Sequence, residues 1–125
     1  MDKFIREYQG HLFQDDGAYC SNDFKSFARK FRNFLNRNLP SGVEIVNHRC
    51  GHYDLSGFAK KGDSYVYYSW SWDRFNPVDA VSASGAMRGC LYRTAKHDRD
   101  WTGGFNQFCP MAELPRRIAE TLDRA

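Results

Sequence analysis

Apolar residues recur at helical spacing from Asp23 to Leu39: Phe24, Phe27, Ala28, Phe31, Phe34 and Leu35 share one stripe, and Lys25, Arg29 and Arg32 fall opposite it. An amphipathic helix is predicted there. Ser21-Asn22-Asp23 supplies capping oxygens at its start, and Pro40 ends it by disfavouring helical backbone in the preceding residue. The period then shortens to two. Val43 to His48 is β-branched; His52 to Lys60 sets Tyr53 and Leu55 against Asp54 and Ser56; Ser64 to Trp72 sets Val66, Tyr68, Trp70 and Trp72 against Tyr65, Tyr67, Ser69 and Ser71. Arg49-Cys50-Gly51 and Lys61-Gly62-Asp63 are hairpin-length connections, so the three strands are expected to form an antiparallel meander.

The flanking segments complete the pattern. Residues 1–20 carry a weak periodic piece (Phe4, Ile5, Tyr8, Leu12) and then a loop, a peripheral N-terminal segment. Asp73 to Ala86, with Asn76-Pro77 and Ser82-Ala83-Ser84-Gly85, has turn chemistry, and Met87 to Thr94 predicts a fourth strand. Ala95 to Pro110 reads as a long ordered loop anchored by Trp101, Phe105 and Phe108. Met111, Leu114, Ile118 and Leu122 mark a C-terminal helix in which Pro115 fits only in the first turn. The expected fold is α+β with two layers: a three- to four-stranded antiparallel meander, and the N-terminal amphipathic and C-terminal helices packed on one face. Its other face would show Tyr and Ser.

Size and charge sharpen this picture. A chain of 125 residues is sized for one core, so a single domain, 1–125, is expected. The net charge of +3 is modest, but after Asp23 no carboxylate balances Lys25, Arg29, Lys30, Arg32 and Arg37 on the first helix. A stripe of one sign suits an acidic partner, either nucleic acid or an acidic protein or ribonucleoprotein surface. The charged start, Met1 to Glu7, lacks the apolar run of a signal peptide, and no membrane-length apolar stretch occurs, so a cytoplasmic protein, monomer or homodimer, is expected. In that compartment Cys20, Cys50, Cys90 and Cys109 read as free thiols.

Reactive chemistry is thinly signalled. His48-Arg49-Cys50-Gly51-His52 has the ligand types of a zinc site but lacks paired knuckles, and reads instead as a hairpin turn with two partly exposed histidines. Cys50 beside His48 and His52 is the local candidate for a thiolate, weighed against inert buried thiols. Asp54, Asp73, Asp98 and Asp100 lack the clustering of a metal-dependent nuclease, and His52 or His97 with Lys96 forms no nuclease motif. Neither metal nor cofactor is expected. Arg93 to Gly104 has two readings: a loop whose Gly103-Gly104 pair exposes N–H groups to an anion beside Arg93 and Lys96, or a turn in which Arg93 pairs with Asp98 or Asp100. The element order also resembles a double-stranded RNA-binding domain, but Met111-Ala112-Glu113-Leu114 replaces the basic cluster such domains use on phosphates.

Several short stretches are shared with one group of proteins. Phe27-Ala28-Arg29-Lys30-Phe31-Arg32-Asn33-Phe34-Leu35, Gly51 to Phe58, Tyr65 to Ser71, Leu91 to Lys96 and Asp100 to Asn106 resemble a family of small proteins encoded on conjugative elements and phages of gut-dwelling Gram-positive bacteria. The resemblance implies a mobile-element setting, in which small proteins bind host defence machinery as anti-CRISPR proteins do. The expected function is a non-enzymatic binding protein that inhibits or regulates a host nucleic-acid-handling complex. Its contact residues would be Lys25, Arg29, Arg32, Tyr65, Tyr67, Arg93, Lys96 and Trp101, since Arg and aromatic side chains dominate binding hot spots. The alternatives are direct binding of double-stranded nucleic acid by the helix and, third, a small nuclease or thiol enzyme at His52 and Cys50.

Overall fold

The computed structural model describes residues 22–51, 54–71 and 90–124. Helix α1 (Asn22–Asn38) precedes strands β1 (Glu44–Gly51), β2 (Asp54–Lys61), β3 (Ser64–Ser71), β4 (Cys90–Ala95) and β5 (Gln107–Cys109). A short 3-10 turn, Met111–Glu113, leads into helix α2 (Leu114–Arg124). The sheet is a five-stranded antiparallel meander in chain order, β1 to β5. The α+β class is as expected; the strand count is one higher.

Both helices cover one face, the inner one. Phe27, Phe31 and Leu35 of α1, and Leu114, Ile118 and Leu122 of α2, share a core with Leu55, Val66, Tyr68, Trp70 and Tyr92 of the sheet. Phe31 sits at its centre, with its ring centroid 5.1 Å from that of Trp70 and 6.1 Å from that of Tyr68. Alternation on β3 sends Val66, Tyr68 and Trp70 inward as the pattern predicts. Pro115 lies in the first turn of α2, where its missing N–H costs nothing. At the far end of α1, Asn38 Nδ2 donates to the Phe34 carbonyl at 2.8 Å, satisfying an orphan acceptor before Pro40.

Several boundaries move. Arg49–Gly51, expected as a turn, belongs to β1, and the pairing continues to Gly51 opposite Asp54. The second hairpin turns at Gly62-Asp63, where only Gly62 has positive φ, the pattern of a type II′ turn. Met87 to Thr94 was expected as a strand; the described part of it starts at Cys90 and runs one residue further, to Ala95. Gln107–Cys109, expected in a loop, adds β5 at the edge, with Cys109 opposite Cys90. The expectations for residues 1–20, the Ser21 cap, His52, Tyr53, Trp72 and Asp73 to Ala86 fall outside the described residues.

One irregularity in β1 decides what each sheet face presents. Val46 pairs with Phe58 and Arg49 with Ser56, so Asn47 and His48 together oppose Gly57 in a β-bulge. Asn47 adopts φ 49°, a left-handed conformation that Asn tolerates better than most residues. The extra residue reverses the alternation beyond it. Ile45 and His48 therefore both face the helices, and Arg49 is delivered to the outer face.

Candidate functional site

His48 is used structurally. Its Nε2–H donates to the Ala28 carbonyl of α1 at 3.0 Å, which leaves Nδ1 to accept from the Tyr68 hydroxyl at 2.5 Å. Both ring nitrogens are thereby committed; the ring is part-buried, as expected, but it sits within β1 and not in a hairpin turn. Burial pushes the imidazole pKa below its usual 6.5 against the bond to Ala28, and the Arg32 charge adds to the lowering. The site has no room to spare: a Cβ on Gly57 would come 2.5 Å from the Tyr68 hydroxyl and 3.0 Å from the His48 Cα.

The thiols are equally quiet. Cys90 and Cys109 are free and buried, and burial raises both pKa values, that of Cys109 to about 12. Such thiols behave as small apolar groups. The side chains of Cys50 and Asp54, and His52 entirely, fall outside the described residues. Among the described residues no three His, Cys, Asp or Glu side chains converge in a way that could hold a metal ion.

The outer sheet face carries the distinctive chemistry. Phe58 points away from the helices yet is fully buried, because the 96–106 loop folds over this face and lays Trp101 on it. The Trp101 ring lies 5.2 Å from Phe58 and 6.0 Å, edge-on, from Tyr67. Two guanidinium groups stack on this aromatic group: Arg49 sits 4.9 Å from the Trp101 centroid, and Arg93 4.6 Å from that of Tyr67. Lys60 lies 5.7 Å from the Tyr65 ring, extending the array along the strands. The open tyrosine and serine face expected from the sequence is in fact half covered, with Ser56 and Ser69 buried beneath.

The loop holds itself in place. Arg93 donates to the Trp101 carbonyl and, at 2.9 Å, to Asn106 Oδ1, not to Asp98 or Asp100. Asp100 turns back on its own loop and accepts from the backbone N–H groups of Lys96 at 2.9 Å and Thr102 at 3.3 Å. Those bonds, the Lys96 one foremost, hold its carboxyl below the usual range. The anion that the glycine pair was read as attracting is therefore supplied from within the chain. Gly104, at φ +71°, lies so close to β4 that a Cβ would come 2.6 Å from the Thr94 carbonyl oxygen. Of the three expected anchors Trp101 packs on the sheet and Phe105 is left 88% exposed, while Phe108 is held in β5 opposite Leu91.

The eight expected contact residues do not form one surface. Lys25, Arg29 and Arg32 lie exposed on the solvent side of α1, whereas Tyr65, Tyr67, Arg93 and Trp101 belong to the outer sheet face and Lys96 to the root of its loop. The sheet and the helix layer separate the two sets. Arg49 and Phe58 belong with the second set and were missed. Phe58 left a trace in the sequence, a large ring in the polar register of β2 beside Ser56; Arg49 left none, because only the bulge turns it outward. A pocket beside Trp101 is lined by Asn47, Arg49, Asp98 and Arg99.

Charge is distributed unevenly. On α2, Arg116 pairs with Glu113 and Glu120, and Arg117 with Glu113. Among the described residues no carboxylate pairs with Lys25, Arg29, Arg32, Arg37, Arg49 or Arg93. No described helix is long and apolar enough to cross a membrane. Comparison with protein-family models, curated proteins and solved structures finds no match to this chain.

Proposed function

We propose that the chain is a non-enzymatic binding protein that inhibits or regulates a host nucleic-acid-handling complex, acting from a mobile genetic element as anti-CRISPR proteins do. The observation that carries this reading is the pair of guanidinium groups, Arg49 and Arg93, stacked on Trp101 and Tyr67 without a carboxylate partner among the described residues. Arg and aromatic side chains fixed in advance lose little entropy on binding, and such anchors supply most of the energy of protein interfaces. The resemblance of the helix and strand motifs to mobile-element proteins supplies the setting. The test is co-purification of the tagged protein with a nucleic-acid-targeting complex from a bacterial lysate after nuclease treatment. A stable complex that is lost on Arg49→Glu with Arg93→Glu is expected; equal capture by the charge-reversed protein overturns the reading.

A second reading is supported by α1, whose exposed Lys25, Arg29, Arg32 and Arg37 form a face of one sign. Direct binding of duplex nucleic acid by this face predicts affinity that falls steeply with salt and drops when Lys25, Arg29 and Arg32 are changed together to Glu. The absence of any mobility shift at low salt removes it.

A further inference from the structure

We propose that the cleft beside Trp101 seats one unpaired nucleotide of a single-stranded nucleic acid. The inference goes beyond the function proposed above and does not depend on it. The cleft measures about 460 Å³, within the range of small-ligand sites, and is lined by Asn47, Arg49, Asp98, Arg99 and Trp101. Each wall offers something a nucleotide needs. Trp101 is 39% exposed, and Phe58 and Tyr67 brace its ring from the sheet side, so the indole is fixed before a base arrives. Arg49 lies over that ring, so its guanidinium, backed by the indole, is the planar surface a base would stack on. Arg99 is exposed at the cleft wall, and its backbone is pinned by an N–H donated to His97 Nδ1 at 3.1 Å; a guanidinium is the side chain that would meet the phosphate.

The polar pair sets the class of ligand. Asn47 Nδ2 donates to the Asp98 backbone carbonyl at 2.8 Å, which fixes the amide and leaves Oδ1 as an acceptor. Asp98 lines the cleft together with Arg49 and Arg99, its carboxylate has no ion pair among the described residues, and it would repel an acidic peptide. It fits instead an exocyclic amino group of a base, which carboxylates accept from. Two cations, a carboxylate and an aromatic plane together match a base joined to a phosphate. In a duplex the base faces are stacked and closed, so the strand must be single.

The test uses the full chain and fluorescein-labelled oligonucleotides of about eight nucleotides, DNA and RNA, with a duplex as the third arm, followed by anisotropy. Single strands are expected to bind at low salt, and the DNA and RNA arms identify which is preferred. Trp101→Leu should weaken this on the order of tenfold or more, the usual effect of losing one stacking platform. Because that change also touches the sheet, Arg99→Ser serves as the second variant: it alters an exposed side chain, and should weaken single strands several-fold while leaving duplex affinity unchanged. Absence of single-strand binding, or binding that neither variant weakens, overturns the proposal. So does equal displacement of the oligonucleotide by poly-glutamate, which would mark a site for negative charge alone.

Discussion

The two faces of the sheet are built from the same alternating strands but do different work. The inner face joins Tyr68, Trp70, Tyr92 and the phenylalanines of α1 in a core closed to solvent. Among the described residues the outer face buries a single large ring, Phe58, and its other rings are half-exposed and capped by guanidinium groups. What separates them is what covers them: two amphipathic helices on one side, one polar loop on the other. A face covered by helices is committed to stability, whereas one covered by a loop keeps part of its charge and aromatic surface exposed.

The largest expected effect breaks the inner face. Trp70→Ala or Phe31→Ala removes a fully buried ring from the core and should cost about 3–5 kcal/mol in denaturant unfolding, as large-to-small core changes do. Trp101→Ala, on a ring already 39% exposed, should cost clearly less. Equal losses from the two would erase the distinction between the faces. Next comes Gly57→Ala, which drives a methyl into the Tyr68 hydroxyl and His48; overpacking of this kind costs about 1–3 kcal/mol and should lower the midpoint in the same assay.

A smaller effect follows pH. His48 binds its proton less readily when folded than at its ordinary 6.5, so the unfolded chain takes up the proton first as pH falls. Its contribution to stability is complete above pH 6.5 and is lost as the pH drops below that value toward the lowered folded pKa. Thermal unfolding between neutral and mildly acidic pH should show this decline, and His48→Gln should flatten it. Smallest of all is the chemical readout. With Cys20 and Cys50 changed to Ser, the remaining Cys90 and Cys109 should react with an aromatic disulfide only on unfolding, and a rapidly reacting native thiol would contradict their burial.

Much of the inner face was legible because period carries direction. The stripe on α1 and the alternation on β3 assign Phe27, Phe31, Leu35, Val66, Tyr68 and Trp70 to the core without any tertiary knowledge. β5 was not legible: three residues, Gln107–Cys109, are too few to establish a period, and they acquire strand geometry only by pairing with β4. The bulge was hidden for a related reason, since Asn47 carries no mark that distinguishes an extra residue from a strand residue. Its consequences are large, because one inserted residue sends His48 inward to α1 and Arg49 outward to Trp101. The loop was legible in Trp101, which anchors it, but not in Phe105, which stays in solvent, nor in Asp100, which answers the backbone rather than Arg93. Long-range contacts of that kind leave no spacing to read.

The most direct test of the outer face as the contact surface pairs two readings on one variant, Arg49→Glu: its melting temperature and its capture of the nucleic-acid-handling complex, with Arg116→Glu on α2 as a control of equal charge. Arg49 is exposed and makes a cation–aromatic contact without an ion pair among the described residues, so the melting temperature should change by no more than about a few degrees. Capture should fall at least several-fold for Arg49→Glu and stay intact for the control. Undiminished capture by Arg49→Glu, or equal loss in both variants, would contradict the account.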